Sequence, residues 1–264
     1  MRFLSIFGIN FAIGLANSKT MADKFKTTFQ VYTNNADSRK MAKPGTLFAY
    51  FIEAASMHAE RLGIGHKSLQ VNHNAFWALS KVHFEIYKTP VWHDELTVTT
   101  WPSGYNRLFA RRYFQIADAN GDLIAEGASD WVIMSFENRS LCNVQSIVEN
   151  IAQFNFEQEH LNLNTTKVQP ANDETAVKTV RRVMFSDLDM NNHLTSMRYL
   201  DWALDCIDID YLNTHTVQTV DINFMHETPV NEDVTLLCQQ SGESFVVSGE
   251  LASGKTSFSA KIGF

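Results

Sequence analysis

The sequence predicts an α+β fold of two tandem halves, each a long helix wrapped by a curved antiparallel sheet. Three observations predict it. "TPVWHDELTV" from Thr89 recurs as "TPVNEDVTL" from Thr228, and self-similarity across a chain signals a duplicated unit. Each half holds one amphipathic helical run, and each helix is followed by consecutive strand patterns separated by turn residues.

The elements follow in order. Residues 1–20, opening with "MRFLSIFGINFAIGLANSK", combine one Arg, an apolar stretch and small residues, the outline of a secretory signal. The competing reading, which the repeat favours, opens the folded protein at Met21, where "MADKFKTTFQVY" runs straight into a strand pattern. The first half is then 21–137. After the polar loop "TNNADSRKMAKPGT", "GTLFAYFIEAASMHAERLG" places Leu47, Phe51, Ala55 and Leu62 on one helical stripe, with Gly63 as a stop. "FWALSKVHFEIY" at 76–87 reads as a strand, and "RRYFQIADANGDLIAEGASDWVIM" as a hairpin around Asn120-Gly121. Residues 138–178 are rich in Asn, Gln, Glu and Thr with weak periodicity, the composition of a connector over the surface. The second half, 179–264, repeats the plan. "TSMRYLDWALDCI" aligns Met197, Leu200, Leu204 and Ile207 as a helical stripe, "HTVQTVDINFM" reads as a strand, and Ser253-Gly254 marks the final hairpin.

Composition excludes several functions. With 22 Lys and Arg against 29 Asp and Glu, the net charge is -7, and cationic side chains cluster only as pairs such as Arg111-Arg112 and Arg181-Arg182. No nucleic-acid partner is expected, because phosphate affinity needs clustered cations. The three cysteines, Cys142, Cys206 and Cys238, are odd in number and widely spaced. They suggest neither a disulfide framework nor a thiolate metal site and fit a reducing cytoplasm. No stretch makes a convincing membrane span. No metal or nucleotide motif appears, so no cofactor is implied.

The polar chemistry concentrates in "FSDLDMNNHL" at 185–194. An Asx-rich turn before a helix would account for it, since Asp and Asn side chains bond nearby backbone. Aligning the halves sharpens the question. Asp37 falls against Asp189, Arg39 against Asn191, Met41 against His193, and Lys88 against Glu227. Only the second half keeps Asp, Asn, His and Glu together, which a purely structural turn does not explain.

These residues resemble the acyl-(acyl carrier protein) thioesterases of bacteria and plant plastids, which carry two fused hotdog domains. The resemblance runs from about Phe29 to Phe264. Its most specific element is "SDLDMNNHLTSMRYLDWALD", a D-x-N-x-H pattern followed six residues later by Tyr199, supported by "AASMHAERLG", "WALSKVHFEI", "LTVTTW" and "ASDWVIM". It implies hydrolysis of a fatty acyl thioester on acyl carrier protein, within fatty acid biosynthesis, with Asp189, Asn191, His193 and Glu227 as the catalytic set. It also implies that the first half holds the acyl chain, which points to Phe51, Ala54, Ala55, Met57 and Trp77 as its lining. The position after the Glu, often Cys in plant members, is Thr228, so a cysteine nucleophile there is excluded.

The chemistry agrees. Thioester hydrolysis needs an activated water and a polarised carbonyl, because thiolate is already a good leaving group. A carboxylate or imidazole can take the proton, and backbone N–H groups opening the second helix can meet the oxyanion. Glu227 is the expected base, His193 its partner or substitute, Asp189 the orienting group, and Asn191 positions water or carbonyl. His226 should point to the opposite strand face. His58, His66, His73 and His83 read as surface or packing residues, and Cys206 and Cys238 as core. An acidic carrier protein is expected to dock on Arg107, Arg111, Arg112, Arg181 or Arg182, and a homodimer stays open. The alternatives are an acyl-CoA hydrolase and a non-catalytic hotdog module that binds acyl thioesters.

Overall fold

The computed structural model describes residues 20–21, 24–151, 154–155, 159–171 and 174–264. The expected leader therefore lies almost wholly outside the described residues. In the first half, β1 (Phe25–Gln30) leads through the polar loop to α1 (Pro44–Arg61) and a short α2 (His66–His73). Four strands with one further helix at the end follow: β2 (Ala75–Ile86), β3 (Glu95–Tyr105), β4 (Ala110–Ala117), β5 (Leu123–Ser135) and α3 (Val144–Ile151). The second half has β6 (Val177–Arg182), α4 (Ser196–Leu204), α5 (Ile209–Thr214), β7 (Thr219–Phe224), β8 (Asp233–Ser241), β9 (Ser244–Leu251) and β10 (Thr256–Gly263).

All ten of these strands join one antiparallel sheet in the order β1-β3-β4-β5-β2-β7-β10-β9-β8-β6. Adding five to each label of the first half reproduces the second half, read from the opposite edge. The halves meet where β2 pairs with β7, from Lys81 opposite Asn223 to Glu85 opposite Thr219. The expected α+β architecture is thus present, with the two wrapped sheets fused into one.

α1 forms because its apolar residues recur at helical spacing, Pro44 opens its first turn and Gly63 (φ 73°) takes the left-handed conformation just past its end. Its stripe of Leu47, Phe48, Phe51 and Ala54 is fully buried against Phe84 and Phe114, and the same apolar cluster continues through Leu200, Val220, Ile222 and Phe258 of the second half. Each large side chain so buried contributes about 1.5–3 kcal/mol. α1 lies beside α4, and Gly45 permits the approach: a Cβ there would collide with the Asp201 carboxylate.

Two segments carry more structure than their composition suggests. α2 and α3 share a satellite cluster with Ile64, Leu69, Val144 and Val148, so the first part of 138–178 is packed rather than a bare surface strap. Farther on, Val168 N–H donates to the Asn223 side chain (2.7 Å), Ala171 N–H to Ser248 Oγ (3.2 Å), and the Trp101 indole to the Glu159 carbonyl (2.9 Å). The connector is therefore bonded to side chains of both halves. α4 stops at Leu204, short of the Ile207 expected from its stripe, because Asp208 caps α5 by accepting from the N–H groups of Asp210 and Tyr211.

Candidate active site

The loops before α1 and α4 fold alike. Asp37 Oδ1 accepts from the N–H groups of Arg39 and Met41 (both 2.9 Å), and Asp189 Oδ1 accepts from those of Asn191 (2.8 Å) and His193 (3.2 Å). Lys40 (φ 64°) and Asn192 (φ 64°) occupy the same left-handed position. The aspartate is the turn former in both halves, as its propensity for local backbone bonds dictates. Chemistry enters with the residues it presents: Arg39 and Met41 in one loop, Asn191 and His193 in the other.

Glu227 arrives from the loop after β7. The literal Thr-Pro-Val repeat sets Lys88 against it, but the backbone bonds correct this by one residue. Ala42 N–H donates to the Pro90 carbonyl and its counterpart Leu194 N–H to the Thr228 carbonyl, so Thr89 is the structural counterpart of Glu227. His93 (φ 76°) and Asn231 (φ 67°) match in the same register. Either way, the first half offers no carboxylate there.

Tyr199 fixes the loop carrying Glu227. Its hydroxyl donates to Thr228 Oγ1 (3.0 Å), and its ring packs against Phe224 and Phe258. Burial pushes this phenol up to about 12, with the Asp189 and Glu227 charges acting in the same direction, so it stays a donor at neutral pH. His193 Nε2 stands 3.8 Å from Glu227 Oε2, close enough for charge interaction but too long for a direct hydrogen bond. The other carboxylate oxygen, Oε1, accepts from Arg139 Nη1 at 3.1 Å. Arg139 comes from the turn after β5, at the start of the expected connector, and its sequence carried no signal: its partner is 88 positions away and its neighbours are ordinary turn residues.

These groups face a cleft of about 900 Å³ shared by both halves. Asp189, Asn191, His193 and Glu227 line it together with Thr195, Ser196 and Met197 at the start of α4. Residues before the connector contribute an apolar lining of Ile52, Phe76, Trp77, Leu79 and Trp131, with Arg111 and Arg112 also at its edge. Of the residues expected to hold an acyl chain, Ala55 and Trp77 line the cleft. Phe51 and Ala54 instead sit in the core, Phe51 against Phe84 and Phe114, and Met57 is exposed. Leu47 and Phe51 of the stripe seen in sequence pack in the core, whereas Ala55 also borders the cleft and Leu62 lies just past the helix. The cleft takes the neighbouring mixed face of Ala49, Glu53 and Ser56.

The arginines divide. Arg112 is buried, donating to His58 Nδ1 (3.1 Å) and Thr100 Oγ1 (3.2 Å); desolvation lowers its pKa to about 9, and burial followed by the charges of Arg112 and Arg61 pushes His58 down to about 3. Arg111 is bidentate to Asp130 (2.6 and 3.0 Å), and Arg181 pairs with Asp205 (2.6 Å). Arg107 and Arg182 are exposed, with Arg182 3.9 Å from Asp233.

The remaining candidates have other partners. His226 donates through Nδ1 to the Thr256 carbonyl (2.8 Å), although it also borders the cleft. Cys206 lies in the turn after α4, bonded to the Trp202 carbonyl, and burial raises its thiol to about 12; Cys238 is buried in β8. Among the described residues, no cluster of three or more His, Cys, Asp or Glu could hold a metal ion, and no helix is long and apolar enough to cross a membrane.

Comparison with known proteins places the chain in a family. An oleoyl-acyl carrier protein thioesterase 1 of Arabidopsis thaliana chloroplasts is 24% identical over 245 residues, covering 87% of this chain and 67% of that protein. This chain thus spans about two thirds of that relative's length. The fold matches the crystal structure of an acyl-ACP thioesterase from Bacteroides thetaiotaomicron (TM-score 0.81, 22% identity, 91% of this chain and 97% of that one). It equally matches the 12:0-ACP thioesterase from Umbellularia californica (TM-score 0.82, 19% identity, 91% and 96%). The tandem hotdog architecture is therefore shown by shape. The acyl-ACP thioesterase N-terminal domain matches residues 22–152 and its C-terminal domain residues 170–262, and the chain accordingly belongs to the acyl-ACP thioesterases, which are thioester hydrolases.

Proposed function

We propose that this protein hydrolyses fatty acyl-acyl carrier protein to free fatty acid and carrier protein, with its chemistry in the second half and its acyl chain in the cleft wall supplied by the first. The observation that carries the reading is the divergence of two identically folded loops, of which only one presents His and a nearby carboxylate to an apolar cleft. Glu227 takes a proton from water as the oxygen attacks the thioester carbonyl. Backbone N–H groups at Ser196 and Met197 lie at a helix start, where partial positive charge favours the oxyanion. Asn191 orients water or carbonyl, and His193 holds the carboxylate's charge and relays the proton to the departing thiolate. Asp189 acts through the loop backbone. Arg107 and Arg182, the exposed members of the arginine set, receive the acidic carrier. The cytoplasm, inferred from unpaired cysteines, is the proposed compartment; the plant relative's own name assigns it to chloroplasts.

Parallel steady-state assays on long-chain acyl-acyl carrier protein and the matching acyl-CoA test the proposal. The carrier-linked substrate should show the higher kcat/KM. Equal or reversed values would transfer the reading to acyl-CoA, and absence of turnover on both would leave a binding module.

A further inference from the structure

Arg139 reaches from its own turn to the carboxylate of Glu227. It follows β5 in a tight turn held by its N–H to the Ser135 carbonyl (3.1 Å), by Ser140 N–H to Asn138 Oδ1 (3.0 Å) and by an isolated bridge between Met134 and Leu141. Arg139 itself takes the left-handed conformation (φ 55°), which costs a non-glycine residue free energy and persists where the surroundings enforce it. The guanidinium carbon then lies 5.1 Å from the Phe76 ring centroid, stacked over a wall of the cleft. From there Nη1 reaches Glu227 Oε1 across the boundary between halves. A planar guanidinium resting on an aromatic face loses little further freedom in making a charge-assisted bond.

We infer that Arg139 is a positioning residue: it holds one oxygen of Glu227 so that the other faces His193 and the cleft, and a turn packed on the first half thereby completes the active site of the second. The inference rests on the reading of Glu227 as the base. The two oxygens have separate neighbours, Oε1 with Arg139 and Oε2 with His193. Removing the arginine leaves the carboxylate free to rotate about its last bonds and abandon the productive orientation. Misplacement of a reacting group on this scale costs roughly tenfold to a hundredfold in rate.

A double-mutant cycle tests it, using kcat and KM on acyl-acyl carrier protein and on a small soluble thioester, with thermal midpoints alongside. Arg139→Ala should lower kcat at least tenfold on both substrates with KM and midpoint nearly unchanged, and Arg139→Lys should restore part of the loss. In a Glu227→Gln background, Arg139→Ala should have no further effect. Additive losses would overturn the inference, because the arginine would then act independently of Glu227. A rise in KM confined to the carrier-linked substrate would also overturn it, marking Arg139 as a substrate contact. If Glu227→Gln alone leaves kcat intact, the assignment of the base fails instead, and that outcome is distinct from both.

Discussion

Asp37 and Asp189 make the same pair of backbone hydrogen bonds, so an aspartate in this loop carries no information about catalysis. The residues presented two and four positions later differ in kind. Arg39 turns back to Asp37 and donates to the Asn213 and His215 carbonyls, a packing role. His193 turns to Glu227. Asn191→Ala, His193→Ala and Glu227→Ala are each expected to lower kcat about a hundredfold or more with little change in thermal midpoint. Met41→Ala and Arg39→Ala should spare kcat. Loss of turnover in well-folded first-half variants, with His193→Ala still active, would put the site in the wrong half. The D-x-N-x-H spacing was readable because a turn keeps its members adjacent in sequence. Arg139 and the Tyr199–Thr228 bond were not, since long-range contacts depend on how the halves meet.

At the scale of elements, the β2–β7 seam carries a titratable couple. His83 Nδ1 stands 2.9 Å from Asp221 Oδ1, and Glu85 lies 3.6 Å from Nε2, with both His83 and Asp221 largely buried. Burial alone would lower the imidazole pKa, but the hydrogen bond and charge of Asp221, aided by Glu85, raise it above the usual 6.5. A raised pKa means the folded protein binds the proton more tightly than the unfolded chain. The couple therefore stabilises fully below about pH 6.5, and its contribution disappears as pH rises through the folded value. Thermal midpoints measured across that range should fall with pH, and His83→Gln should flatten this part of the profile; an unchanged slope would remove His83 as the cause. Strand periods were plain in the sequence, as in "FWALSKVHFEIY", because alternation is local. The fusion of the sheets was not, because neither β2 nor β7 has a pattern that names its neighbour. Matching letters also misled by one residue around Thr-Pro-Val, where turn conformation at His93 and Asn231 sets the true register.

For the whole molecule, a net charge of -7 and an acidic partner oppose each other unless cations are gathered locally. Arg107, two residues before the cleft-lining Phe109, and Arg182 on the edge strand β6 are the exposed members of the proposed docking set. Arg107→Glu and Arg182→Glu should reduce kcat/KM for the carrier-linked substrate, more strongly at low salt, and leave a small soluble thioester unaffected. Equal losses on both substrates would assign these residues to folding or catalysis.

The strap between the halves bears on what holds the molecule in one piece. Its carbonyls and amides are tied to Trp101 of one half and to Asn223 and Ser248 of the other, while β2 and β7 are already joined edge to edge and Arg39 reaches over to Asn213 and His215. Covalent continuity between the halves is therefore redundant with a shared ladder and a shared apolar interior. Severing the chain once in that strap would free no fragment, and the two pieces would remain a single body until the seam itself melted.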